Sequence, residues 1–556
     1  MSADANSPEA NGVIGSGLVR LDYPTAFRAD ICETTHGHEV ADPYRWLEDR
    51  SDPATQHWVD SQSELFKAAR AQWDTIGHWH DRLEALLGAG AISPPIWRGR
   101  RRFYMKRNPG QEHSVLWYID ESGNERALLD PAEIDPSGLT TLDSWQPDKQ
   151  GRLLAYQLSV GGTEESAVYV MHVETGEIVE GPIDRARYSP IAWLIEGDAY
   201  YYVRRLPPEQ VPRGEEQFHR RVWLHRIGDD PDKDVLIFGE DRKATEYFGV
   251  SVSREGRWLT ISASEGTAPR NDLWIADLQN SDVERPELIP IQVGVDAQTS
   301  VHIGRDGHAY IYTDLDAQRG KLSVAEPTDL SPGARRELIR ERPDAVLTGY
   351  ALLDDDELER PILLVSWTKH AVAEVTVHEL SSGVQIGSVE LPGVGTIGAM
   401  SGHPDGGHEV WFVYTDYATI PRVLKYNAAT GELSVDAYPP GFVEVPNVSS
   451  TMHTYRSKDG TDVRLMLIAP AELEGRAPDA PRPTVLYGYG GFGVSMAPAY
   501  SPSILAWVEA GGIYVVACLR GGAEEGEWWH RDGMLGNKQN VFDDFIAAAQ
   551  WLIDQG

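Results

Sequence analysis

Short β-type runs, each closed by turn residues, recur through the middle of this chain about every fifty residues. They are Leu116-Trp117-Tyr118-Ile119, Val168-Tyr169-Val170-Met171, Val222-Trp223-Leu224-His225 and Leu273-Trp274-Ile275-Ala276. Weaker counterparts follow around Leu322-Ser323-Val324, Val375-Thr376-Val377-His378 and Val423-Leu424-Lys425-Tyr426. Several are preceded by another strand with its own turn, as in Gly151-Arg152-Leu153-Leu154-Ala155-Tyr156 and Gly256-Arg257-Trp258-Leu259-Thr260-Ile261. A β unit of this length, repeated and with about four strands, is what a β-propeller blade requires. Seven such units fit between residues 89 and 443. An irregular pair of β-sandwiches is the competing reading.

The flanks differ in kind. Residues 1–20 are small and polar and are expected to be a disordered tail. Asp42-Pro43-Tyr44-Arg45-Trp46-Leu47-Glu48-Asp49 opens a helical stretch that runs through Trp58, Leu65 and Phe66 to Leu83, Leu86 and Leu87, and Pro94-Pro95 ends the region. This predicts an N-terminal helical segment over 21–88. After Pro439-Pro440-Gly441 the period breaks, and strand–helix alternation over 444–556 predicts a separate α/β unit. Tyr455–Thr461 reads as a hairpin turn, and Gly512–Leu519 as an apolar strand ending at Arg520-Gly521-Gly522. Phe542–Ile553 reads as an amphipathic helix. The order matches the first half of an α/β-hydrolase core, so the fold class is mixed β and α/β: a seven-bladed β-propeller with an incomplete α/β-hydrolase domain.

Charge and composition exclude several functions. With 85 acidic against 50 basic residues the net charge is −35, which repels nucleic acid and anionic membrane, so neither is expected as a partner. No apolar run approaches the ~18–20 residues of a membrane span. The N-terminus has no secretory pattern, and Cys32 and Cys518 read as buried free thiols, so a cytoplasmic protein is expected. His36-Gly37-His38 and His78-Trp79-His80 lack a Cys or carboxylate set with ligand spacing, so no metal is expected. Gly490-Gly491-Phe492-Gly493 is not a dinucleotide fingerprint, and no cofactor is expected. Asp543-Asp544 is explained by the helix macrodipole alone.

The chemistry points to the loop Tyr487-Gly488-Tyr489-Gly490-Gly491-Phe492. Acyl transfer to a serine needs fixed donors aimed at the oxyanion, and in hydrolase folds one donor comes from such a loop. Its glycines let backbone approach a ligand, Tyr489 offers a phenolic proton, and Phe492 offers a flat apolar face. A packing turn carrying two core aromatics fits the same spacing.

That loop, Arg520-Gly521-Gly522 with Gly526, Trp529-His530 and Gly533, then Asn537-Lys538-Gln539-Asn540-Val541-Phe542-Asp543-Asp544-Phe545, closely resemble the prolyl oligopeptidase family, as does Asp42–Asp49. The resemblance implies a seven-bladed propeller capping an α/β-hydrolase domain, with the N-terminal segment packed on the hydrolase. It implies cytoplasmic cleavage of short proline-containing peptides after proline by serine acyl transfer. It assigns Tyr489 as the side-chain oxyanion donor and Phe492 as the aromatic against the proline ring. Tyr188, in Arg187-Tyr188-Ser189-Pro190, takes the place of a propeller residue facing the substrate, usually Phe. The family's Ser, Asp and His lie further along than these 556 residues. The nearest candidate elbow, Gly493-Val494-Ser495-Met496-Ala497, lacks the final Gly and sits on the oxyanion loop. The chain alone is therefore expected to be inactive: a fragment, one half of a split peptidase that assembles with a separate C-terminal hydrolase fragment, or a non-catalytic propeller binding module.

Overall fold

A computed structural model describes residues 22–473 and 480–556, so the expected tail over 1–20 lies outside the described residues. The chain forms two compact units, one reaching Arg82 and the other running from Leu83 to Gly556.

In the first unit, Cys32–Thr35 and His38–Ala41 pair as an antiparallel hairpin, turned at His36 and Gly37, both with positive φ. A 3-10 helix at Arg45–Glu48 follows. Arg45 ties it back to Glu33 and Asp42 at 2.5 and 2.8 Å. The first α-helix is Pro53–Arg70, and Asp52 caps it by accepting from the Ala54 N–H. This corrects the expected continuous helix from Asp42. In this segment Arg45 reaches Glu33 of the hairpin, Tyr44 accepts from Arg28 and Trp46 donates to Phe27 O, and α-helix begins only where a cap and an N1 proline coincide. A break at Ala71–Thr75 separates this helix from Ile76–Leu87, which ends well short of Pro94.

Seven antiparallel sheets make up most of the second unit, over 91–129, 140–183, 191–238, 246–292, 299–339, 346–389 and 396–437. Each is a meander of four strands, with a fifth short strand in the first and last sheets. Every sheet is built from one stretch of sequence, so no strand is exchanged between the ends of the ring. Inner strands are mostly apolar and buried; in Ala199–Arg205 every residue is buried, Arg204 and Arg205 included. Both faces of each blade are covered by neighbours. Six of the seven seams hold an apolar cluster. Phe103, Leu116 and Tyr156 join the first sheet to the second, and Val222, Phe248 and Trp274 join the third to the fourth. Leu364, Phe412 and Tyr414 join the sixth to the seventh.

The last seam is different. Trp97 of the first sheet lies 5.4 Å from Trp411 and 5.3 Å from His403 of the seventh, ring centre to ring centre. Ser401 Oγ donates to Pro95 O at 2.8 Å and His403 Nε2 pairs with Gly99 O at 2.8 Å. Just beyond, Gly441 N donates to Ala89 O at 2.9 Å, so the propeller's two ends meet. Polar links also join sheets that are not neighbours in sequence. Lys149 Nζ donates to Val252 O and Ser253 O at 2.6 and 3.0 Å, and Arg254 pairs with Asp405 at 2.7 Å.

Residues after the propeller form one four-stranded sheet in the order Val448–Arg456, Asp462–Pro470, Ile513–Cys518, Thr484–Gly488. The first three pair antiparallel and the last two parallel. Val463, Leu465, Val515, Ala517 and Trp529 fill its core with Val541 and Ala548 of the helix Gln539–Asp554. The helix Pro502–Glu509, capped by Ser501, covers the other face through Ile504 and Val508. Thr484–Gly488 stands at the edge, paired on one side only among the described residues. A cavity of about 840 Å³ opens over this part of the sheet, lined by Thr451, Leu467, Leu486, Trp551 and Leu552 among others. Nearby Ile546 and Ile553 are exposed.

Candidate active site

The strand Thr484–Gly488 delivers the glycine loop to the carboxyl end of a parallel pair, where ligands of open α/β sheets bind. Gly490 sits at φ +61°, and a Cβ there would lie 2.4 Å from Val541 Cγ1 and 2.9 Å from Arg520 O. Gly521 sits at φ +90°, and its Cβ would lie 2.5 Å from Gly490 O. The two glycine turns therefore touch backbone to backbone, and Gly493 N donates to Gly521 O at 2.9 Å. Lys538 closes the arrangement by donating to Gly490 O at 2.6 Å.

This packing turns the aromatic side chains outward. Tyr489 is 47% exposed and Phe492 65% exposed, with ring centres 6.5 Å apart. Phe492 holds φ +54°, a left-handed conformation that bulky residues avoid and that clusters at ligand-contacting positions. A core packing turn would have buried both rings. The loop instead presents a phenolic donor beside an apolar plate.

A charged knot under the loop fixes it. Arg520 is buried, and its Nη2 and Nε donate to the Asp544 carboxylate at 2.7 and 3.0 Å. Its own N–H donates to Asp544 at 3.1 Å and its Nη1 to Asp459 at 2.6 Å. Burial alone would lower the Arg520 pKa, but the two carboxylates outweigh it and raise it above the ordinary value. Arg520 in turn holds Asp459 down at about 2. This corrects the macrodipole reading of Asp543-Asp544. The helix starts at Gln539, so Asp544 lies past its first turn, wholly buried as the partner of Arg520. The signal available in sequence was an arginine ending an apolar strand, which demands a buried acid. Lys538 was also missed as a support of the loop, though its motif stood out.

Glu524 is a second buried acid. It accepts from Met496 N at 2.7 Å, its Oε2 has no partner, and burial pushes its pKa up to about 7. The segment that follows reaches the propeller. Glu527 N donates to Gln318 O at 2.7 Å, and Arg531 pairs with Asp296 at 2.6 Å. At Gly526 a Cβ would lie 2.4 Å from Gln318 O.

Tyr188 makes its contacts within the propeller. At φ +57° and 53% exposed, it donates to Glu164 and lies under the Arg187 guanidinium, 4.8 Å from the ring centre. It lines a cavity of about 610 Å³ with Gln157, Ser189, Pro190 and Phe248. Its backbone shares the unusual conformation of Phe492. Of the histidines, His80 contacts Asp81 at 3.4 Å on the surface. His408 has one ring nitrogen toward Asp355 and the other toward Glu357, at 3.2 and 3.7 Å.

Comparison with known proteins agrees with this architecture. A profile described as the N-terminal beta-propeller domain of prolyl oligopeptidase matches residues 23–437, and one for the prolyl oligopeptidase family matches 498–556. A prolyl endopeptidase of Elizabethkingia meningoseptica is 31% identical over 541 residues, covering 96% of this chain and 74% of the relative. Prolyl oligopeptidase A of Amanita bisporigera is 26% identical and is covered to 73%. A solved prolyl endopeptidase structure superposes with a TM-score of 0.88 at 30% identity, covering 96% of this chain and 76% of that one. Prolyl oligopeptidase B of Galerina marginata, bound to a 35-residue peptide, shares the fold at a TM-score of 0.86 and 22% identity. A propeller of seven contiguous sheets, a hydrolase sheet behind it and these matches across both place the chain in the prolyl oligopeptidase family.

Proposed function

We propose that this chain binds short proline-containing peptides and contributes the oxyanion side of a serine peptidase that cleaves after proline. The observation that carries the reading is the exposed pair Tyr489 and Phe492 on a loop whose Gly490 admits no Cβ. The Phe492 ring is a plate for the pyrrolidine, and the Tyr489 hydroxyl is a donor for the carbonyl oxygen as it gains charge. Loss of such a donor raises the barrier by ~2.7–4 kcal/mol. Tyr188 meets the peptide from the propeller. The domain limits that go with this reading are a helical segment over 21–88, the propeller over 89–443 and the hydrolase part over 444–556. The two free cysteines, Cys518 buried as expected and Cys32 exposed on the hairpin against expectation, support a reducing, cytoplasmic setting; no helix among the described residues is long and apolar enough to cross a membrane.

A polypeptide of these 556 residues alone binds and does not turn over, because they contain no Gly-x-Ser-x-Gly elbow. The test uses that polypeptide with a chromogenic Gly-Pro substrate, a serine-reactive fluorophosphonate, and a labelled proline peptide beside its alanine twin. Expected are no turnover, no labelling, and binding of the proline peptide that Phe492→Ala weakens. Stoichiometric labelling would mean a nucleophile within the chain, and equal binding of the twins would remove the proline pocket. The half-paired strand Thr484–Gly488 favours one further reading, a strand and nucleophile added in trans. Restoration of turnover by a separate polypeptide bearing that elbow is its test.

A further inference from the structure

Arg220 is a buried charge without a counter-charge. The residue is 2% exposed, and its Nε and Nη1 have no hydrogen-bond partner. The guanidinium lies over the Tyr247 ring, 3.9 Å from its centre. Arginine does not deprotonate in proteins, so it cannot escape burial by shedding its proton. A ring face offsets only part of the desolvation penalty. Burial lowers the Arg220 pKa, and the nearby Arg205 and Arg187 push it the same way, against Tyr247.

The acids close by are engaged elsewhere. Glu164 accepts from Arg187 at 2.5 Å and from Tyr188, and Glu165 accepts from Arg205. Arg187 Nε and Arg205 Nε are buried and unpartnered as well. Asp143, on the same cavity as Tyr188, accepts from Thr141 and Ser166, so two of the three guanidinium groups are paired with carboxylates and Arg220 with none, in a chain of net −35. The patch adjoins the expected substrate path, since Tyr247 and Tyr188 lie 6.3 Å apart between ring centres and Tyr188 is half exposed.

We propose that Arg220, with the free edges of Arg187 and Arg205, is a carboxylate subsite that selects proline peptides carrying an acidic side chain in the segment lying against Tyr188. This rests on the reading of Tyr188 as a substrate-facing residue. A carboxylate there supplies the acceptor that Arg220 lacks, and a charge-assisted bond to a planar guanidinium is among the stronger polar contacts a protein makes.

The test is fluorescence polarisation of the 556-residue chain with labelled proline peptides. Each carries Glu at one of the positions before the proline and is compared with its Gln twin. One Glu peptide should bind about tenfold more tightly than its twin at low salt, the scale of one charge-assisted hydrogen bond. The preference should shrink as salt rises. Arg220→Gln should abolish it, so that the Glu peptide and its Gln twin bind alike. Equal binding of every pair, or a preference that survives Arg220→Gln, would overturn the proposal. If Arg220→Gln does not fold, Arg220→Lys keeps the charge and loses the planar stack, and a reduced preference is then the expected result. If no proline peptide binds at all, the function proposed above fails, and the subsite is read alone by thermal shift. N-acetylglutamate should then raise the Tm of the wild-type chain and N-acetylglutamine should not; no difference between the two refutes the subsite.

Discussion

Gly490 and Gly491 are adjacent in sequence and unlike in space. At Gly490 a Cβ would meet Val541 at 2.4 Å from a backbone with φ +61°, whereas at Gly491 the nearest atom is Lys538 Nζ at 3.7 Å. Gly490→Ala should therefore destabilise the segment by ~1–3 kcal/mol and weaken peptide binding, through combined strain and overpacking. Gly491→Ala should stay within ~0.5 kcal/mol. Urea unfolding of both variants checks this, and equal effects would contradict the backbone contact between the two turns. Glu524 gives a pH signature. Its folded pKa is raised from the ordinary 4.5 to about 7, so the folded state holds the proton more tightly. The stability it contributes is complete below pH 4.5 and is lost as pH rises through 7. Glu524→Gln, which cannot ionise, should melt higher than wild type at pH 8 and alike at pH 4.5. Identical melting of the two proteins at pH 8 would show that Glu524 is not a buried acid.

Strands and helices of the hydrolase sheet are held in register by charge as well as by apolar packing. Arg520, at the end of one strand, grips Asp544 on the covering helix and Asp459 in the hairpin turn. Asp544→Ala leaves the buried Arg520 guanidinium with Asp459 as its one carboxylate and should lose ~3 kcal/mol, while Arg520→Met with Asp544→Leu should recover most of it. A urea midpoint for the double variant no better than for Asp544→Ala would count against the pairing. This knot also marks where sequence reading stops. Blade strands were legible because apolar runs recur with a fixed period, and Phe542–Ile553 because its apolar face follows the helical repeat. The partner of Arg520 lies twenty-four positions away, and no local pattern joins a strand end to the middle of a later helix. The exposed aromatic pair was legible only in kind: the glycines signalled a tight turn, but which way Tyr489 and Phe492 face is set by the Gly490–Gly521 contact. The Asp42–Asp49 segment was misread as the start of one continuous helix because Tyr-Arg-Trp-Leu has helix-compatible residues, while the Arg45 pair with Glu33 depends on the hairpin that precedes it.

Across the whole ring, six seams are sealed by apolar clusters and the seventh by Trp97, Trp411, His403 and two hydrogen bonds to carbonyls. Trp97→Ala should remove about 3 kcal/mol from that seam, the scale of an aromatic truncation. The effect should be a lower Tm with faster hydrogen exchange at the first and seventh sheets only. Uniform acceleration over all seven would show that the ring opens as one cooperative body. The meeting of Ala89 and Gly441 through one hydrogen bond has a wider consequence. Everything between them leaves and returns at a single point, so the ring is a cassette. Cut at that point, the ring is expected to keep its seven sheets, at the cost of the Glu527–Gln318 and Arg531–Asp296 links to the hydrolase part; circular dichroism of residues 89–443 alone checks it.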